Sequence, residues 1–123
     1  MWIEEVVNTV DAGMVYTHRG EDTHQDHRAI ARAVVPAVRR VQNLLYFEGL
    51  SSQDFNPTVC VNIGKVLNQK LGALEAHASQ IEKTNIKHLN VVDILRSVAH
   101  FRSIQSRVTC AEGFSALRHF IDI

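Results

Sequence analysis

Three histidines and three carboxylates fall within residues 18–27: His18, Glu21, Asp22, His24, Asp26 and His27. Imidazole nitrogens and carboxylate oxygens are common ligands of divalent metals, and imidazole also moves protons near neutral pH. If Thr23 caps a helix, with Asp26 three residues on as a variant capping box, then His24 and His27 stand at i and i+3 of its first turn. They then share one face and can address one ion or one substrate group. The positive end of the helix dipole favours neutral imidazole, the form that binds metal. A catalytic zinc site takes three protein ligands and keeps a fourth position open, and a hydrolase also needs a base. The knot alone does not supply both. His77, His88, His100 and His119 complete the set of seven histidines, and none has a spacing that recommends it as a distant ligand.

The elements around the knot suit that chemistry. Ile3, Val6, Val7 and Val10 recur at helical spacing over residues 2–11, and Gly13 is the expected C-cap. Met14 to His18 is a β-favouring run. Helix, tight turn and strand in succession suit an α/β domain with a parallel sheet. Ligands of such sheets bind beyond the C-terminal ends of the strands, which is where the knot falls. A helix is predicted from His24 to about Gln42. Its apolar stripe is Ile30, Val34, Ala37, Val38 and Val41, and Pro36 should kink or split it.

Residues 43–48 read as a buried strand, 49–57 as a loop, 58–62 as a short strand and 63–78 as a helix. Residues 79–88 read as irregular, and a last helix begins near Asn90. Residues 114–123 suit strand and helix equally. The run Leu44 to Phe47 is apolar enough to be covered on both faces, so it predicts more neighbours than this reading supplies. An exposed apolar edge would invite a second copy.

The chain has 123 residues, 46% hydrophobic and 21% charged, with 13 basic and 13 acidic side chains. That composition fits one ordinary, if partial, domain over 1–123 and excludes a disordered tail. A pI near 7.1 argues against a nucleic-acid module. No apolar run approaches the roughly 18 residues of a membrane span. The start, Met1-Trp2-Ile3-Glu4-Glu5, predicts no secretory leader. Cys60 and Cys110 are too sparse for a disulfide framework, so a cytoplasmic setting with reduced thiols is expected.

Tyr16-Thr17-His18 followed by Glu21-Asp22-Thr23-His24-Gln25-Asp26-His27-Arg28 resembles the TH…DtHqDHr segment of the PIG-L (LmbE-like) zinc-dependent deacetylases, which remove acetyl from N-acetyl-sugar conjugates. Residues 43–48 are similar to the strand that follows in that family. Phe55-Asn56-Pro57-Thr58 with Asn62-Ile63 resembles its FxPt…vDI stretch. Lys70, Ala73-Leu74, His77, Ser79 and Gln80 resemble K…AL..H.SQ, and Arg102 with Ala111-Glu112 and Phe114 resembles R…yAEaF. The matches keep the family's order from about residue 1 to 118.

The resemblance implies a Rossmann-like parallel sheet with flanking helices, truncated on its N-terminal side. It implies that His27 is a zinc ligand, that His24 sits by the reacting carbonyl and stabilises the tetrahedral intermediate, and that Asp26 supports the histidines. His18, His77, Gln80, Arg102 and Glu112 are candidate pocket residues. His77 and Gln80 suit a helix end better than a pocket, and Glu112 serves equally well as the partner of a surface cation.

The chain departs from the family in places. The A-H-P-D-D motif, source of two further zinc ligands and the general base, is absent. Cys110 stands where Tyr is usual and Ser103 where Gly is usual. The chain therefore resembles the C-terminal half of such an enzyme. The first expectation is a zinc-dependent hydrolase of N-acetylglucosamine-type conjugates, incomplete in this chain. The alternative is a non-catalytic truncated homologue acting as an oligomerisation or interaction domain, paired with a second copy or a missing N-terminal half. A metal-dependent phosphoesterase built on His24, Asp26 and His27 is a third reading, which no glycine-rich phosphate loop supports.

Overall fold

The computed structural model describes residues 2–77 and 84–123. The elements run α1 (Trp2–Thr9), β1 (Met14–His18), α2 (Gln25–Ala37), β2 (Asn43–Phe47), β3 (Val59–Asn62), α3 (Leu67–Glu75), α4 (Val91–Ser106) and β4 (Ala111–Arg118). The fold is α/β, with a four-stranded sheet in the order β1-β2-β4-β3. β1 and β2 run parallel, from Met14 opposite Asn43 to His18 opposite Phe47. β4 lies antiparallel to β2, with Phe47 opposite Phe114. The sheet is thus mixed, and its parallel pair carries the histidine knot. The chain forms two compact units, residues 1–59 with 113–123, and residues 60–112.

In the first unit, α2, β2 and the turn between them bury Val34, Val38, Val41 and Leu44, and Ile3, Val7, Val15, Val35 and Tyr46 pack against them. Full burial of a side chain such as Leu44 stabilises the fold by roughly 2–3 kcal/mol. In the second unit, α3 and α4 contribute Leu67, Leu71 and Ala99 to a core with Ile63 and Cys110.

Strand Leu44 to Phe47 finds within this chain the neighbours that its apolar character called for. β1 and β4 pair with its two sides, and β1 is the outer strand. β4 was ambiguous in sequence because its burial does not alternate: Ala111, Gly113 and Phe114 are buried and residues 116–118 exposed. Backbone pairing with β2, rather than its own pattern, makes it a strand.

Three helix ends also differ from expectation. The left-handed residue after α1 is Asp11, φ 51°, and no glycine has positive φ among the described residues. α2 stops at Ala37, not near Gln42. Pro36 has no N–H to bond back to the Arg32 carbonyl, and beyond the helix end Arg118 takes the carbonyls of the turn, donating to Val38 O at 3.1 Å and Val41 O at 2.9 Å. α3 spans Leu67–Glu75, and the expected end at Ala78 lies outside the described residues. α4 begins next to Asn90, near where a helix start was expected, and the Asn90 side chain caps it by accepting from Asp93 N.

Candidate functional site

The knot sits at the C-terminal end of β1 and the start of α2, within the first unit. The cap of α2 is His24, not Thr23: His24 is extended, φ −81° and ψ 123°, and its Nδ1 accepts from Asp26 N at 3.2 Å. Thr23 is drawn off by the loop after β2, where its N–H donates to Ser51 O at 3.1 Å beside an Asp22–Ser52 bridge.

Asp22 organises the site. Its side chain is 1% exposed. Oδ1 accepts from His24 N at 2.8 Å, and Oδ2 lies 3.0 Å from His27 Nδ1. Ser51 Oγ stands 3.2 Å from the same nitrogen. Arg28 Nη1 donates to Asp22 O at 2.7 Å. Burial alone would raise the Asp22 carboxyl pKa. Hydrogen bonds from Ser51, the His24 amide and His27, with the His27 charge, outweigh it and hold the group below its ordinary value of 3.8.

These contacts give the two helix histidines opposite tautomers. His27 presents Nδ1–H to the Asp22 carboxylate, so its Nε2 keeps a lone pair for a metal. This carboxylate–histidine pairing fixes the ring and strengthens it as a ligand. His24 accepts at Nδ1, so its proton is on Nε2, where it can be donated to an oxygen gaining charge. The two rings stack, centroids 4.4 Å apart and 18° between planes.

His18 stacks on the other face of His27, at 3.8 Å and 11°, and meets Phe47 edge-on at 4.5 Å. His18 Nδ1 is buried and has no hydrogen-bond partner. Gly49 leaves a space beside it, since a methyl there would lie 3.9 Å from both His18 Nδ1 and Asp22 Oδ2. One donor atom from each of His18, Asp22 and His27 lies within 4.8 Å of the other two. An orphaned nitrogen, a ready His27 and an open cradle fit a divalent metal. Because both Asp22 oxygens already accept hydrogen bonds, Asp22 suits the role of support better than that of ligand.

Burial of His18, together with the nearby His27, holds its pKa below the ordinary 6.5. The folded chain therefore resists a proton that the unfolded chain accepts. The stability tied to His18 is complete above pH 6.5 and is lost as pH falls towards the folded value. Asp22 adds a second loss below pH 3.8. The thermal midpoint should fall between pH 7.5 and 5.5, by less in His18→Gln, as calorimetry at matched ionic strength would show.

The remaining candidates are placed as follows. Asp26 is exposed, its side chain 77% accessible and 4.0 Å from His24 Nδ1. The buried carboxylate of the knot is Asp22, four residues earlier. Ser51 is the other contributor that residue types did not mark, and its only signal was a loop directly after a buried strand. His77, Arg102 and Glu112 belong to the second unit. There His77 is exposed in the turn after α3. Arg102 is buried and donates to Gln105 Oε1 at 3.2 Å, and Glu112 pairs with Lys70 at 3.0 Å. Gln80 lies outside the described residues. Among the described residues no helix is long and apolar enough to cross a membrane.

No family profile matches the chain, and no curated protein matches it. Solved structures do. The conserved protein TT1542 from Thermus thermophilus superposes with a TM-score of 0.83 at 20% identity, over 99% of this chain and 59% of its own. GalB, the 4-carboxy-2-hydroxymuconate hydratase from Pseudomonas putida KT2440, superposes with a TM-score of 0.72 at 15% identity, again over 99% of this chain and 59% of its own. This chain thus spans 59% of the length of both structures, and the likeness establishes an α/β fold that they share.

Proposed function

We propose that the chain carries a half-site of a PIG-L (LmbE-like) zinc-dependent N-deacetylase, acting in the cytoplasm on N-acetylglucosamine-type conjugates. The observation that supports this is the pair of tautomers set by Asp22 and the α2 cap: a ligand at His27 beside a donor at His24. Zinc, when bound, supplies Lewis-acid activation of water and of the amide carbonyl. The chain's own residues do the rest. His27 offers Nε2, and Asp22 and Ser51 keep its ring from turning. His24 directs Nε2–H at the carbonyl oxygen, where a donor counts most as charge develops. His18 adds a second imidazole close to His27. No carboxylate among Asp22, Asp26 and Glu21 is both free and buried enough to act as base, which fits a base supplied by a further segment.

The test is zinc titration with a competing chelator. The chain should bind zinc weakly, His27→Ala should lower the affinity below detection, and His119→Ala should leave it unchanged. Equal binding by wild type and His27→Ala would defeat the reading.

A second reading, a non-catalytic homologue that self-associates, draws on the open side of β1, where Tyr16 is half exposed, and on exposed Trp2 and Val10 at α1. A dimer in light scattering, with no zinc retained, would favour it over the first.

A further inference from the structure

A groove of about 500 Å³ runs beside α2 in the first unit, within the size range of small-molecule sites. Glu21 lines it, whereas His18, Asp22, His24, Asp26 and His27 do not. Two cations, Arg19 and Arg32, and one carboxylate, Glu21, face it, with Tyr46 and an apolar wall that includes Val35 and Pro36. Arg19 is committed: Nε pairs with Glu21 at 2.8 Å and Nη1 donates to Asp54 O at 2.8 Å. Arg32 is exposed and has no hydrogen bond or ion pair among the described residues, and the Tyr46 hydroxyl has no hydrogen bond among them either. The groove thus pairs one unspent guanidinium and one unspent hydroxyl with an apolar wall.

We infer that this groove binds a small aryl carboxylate, its ring against Val35, Pro36 and the Tyr46 ring and its carboxylate on Arg32 and the Tyr46 hydroxyl. The planar guanidinium suits a carboxylate through two parallel hydrogen bonds. Glu21 cancels one of the two positive charges, so the groove fits a single negative charge. Burial raises the Tyr46 pKa above its ordinary value, so the phenol stays a donor across the neutral range. The Val35 and Pro36 wall gains from an apolar body, which a bare anion lacks.

The probe is benzoate, titrated into the full chain and followed by NMR at the Val35 methyls and the Arg32 side chain, with benzyl alcohol and inorganic phosphate as comparators. Benzoate should saturate with shifts confined to the groove. Arg32→Gln should weaken it at least tenfold and Tyr46→Phe severalfold. Benzyl alcohol and phosphate should each bind at least tenfold more weakly. Arg32 has no partner to lose, so Arg32→Gln should keep its thermal midpoint, and Tyr46→Phe gives a second arm that keeps the ring. His27→Ala should leave benzoate binding unchanged, which separates this groove from the proposed metal site. The inference is overturned by unsaturable shifts, by equal binding in Arg32→Gln, by benzyl alcohol matching benzoate (a merely apolar groove), or by phosphate matching it (a merely cationic patch).

Discussion

Replacing Asp22 with alanine is expected to lower the unfolding free energy by about 2–4 kcal/mol and zinc affinity by about 10–100-fold. The carboxylate accepts from the His24 amide and faces His27 Nδ1 at 3.0 Å, and Ser51 also bonds to it. Hydrogen bonds to a charged group each contribute about 1.5–3 kcal/mol. They do not simply add, because removing Asp22 also relieves the cost of burying a charge. What remains is a set of donors built around an acceptor that is gone, and a His27 ring no longer held in one tautomer. Asp22→Asn should recover part of the stability, since the amide oxygen can still accept from His24 N, and little of the zinc affinity. Asp26→Ala should change stability by no more than about 0.5 kcal/mol, as expected of an exposed side chain. Urea unfolding and zinc titration of the three variants settle the order. A larger effect from Asp26 than from Asp22 would return the supporting role to the residue that the family resemblance assigns.

The second large effect concerns activity. The chain alone is expected to release no acetate from N-acetylglucosamine conjugates. A segment bearing A-H-P-D-D, fused or added in trans, should create zinc-dependent release. The reason is the division of groups in the proposed reading: this chain would offer His27, its supports Asp22 and Ser51, and the donor His24, and the added segment would bring two ligands and a base. In that reading His18 would join His27 as a ligand, but both come from one strand–loop–helix unit and would leave the water without a base. In the restored enzyme His27→Ala should lose metal and activity together. His24→Ala should keep the metal and lower kcat about 10²–10³-fold, since a donor aimed at developing charge acts mainly in the transition state. Zinc-dependent acetate release by the 123-residue chain alone, lost in His27→Ala, would overturn this division.

Much of the architecture was legible because it is local. The β-favouring run at 14–18, the strand read at 43–48 and the helix start near Asn90 are patterns of neighbouring residues, and the structure has elements at Met14–His18, Asn43–Phe47 and Val91–Ser106; of the expected α2 stripe, Val34 and Ala37 are buried in the helix and Val38 and Val41 just past its end, while Ile30 is exposed. The nearness of His24 and His27 was legible for the same reason: as cap and third helical residue they lie within one turn, and their rings stack 4.4 Å apart. What lay beyond reach depended on partners distant in sequence. β4 is a strand because β2 offers it a ladder. Thr23 is not the cap because Ser51, 28 residues away, takes its amide. Among the three carboxylates near the histidines, the family resemblance favoured Asp26, yet Asp22 is the one that is buried, beside the loop after β2. The sequence by itself determined which side chains are available for chemistry. The tertiary structure decided which carboxylate loses its water, and so which one holds His27, because desolvation is set by what packs on top of a residue and not by its neighbours in the chain.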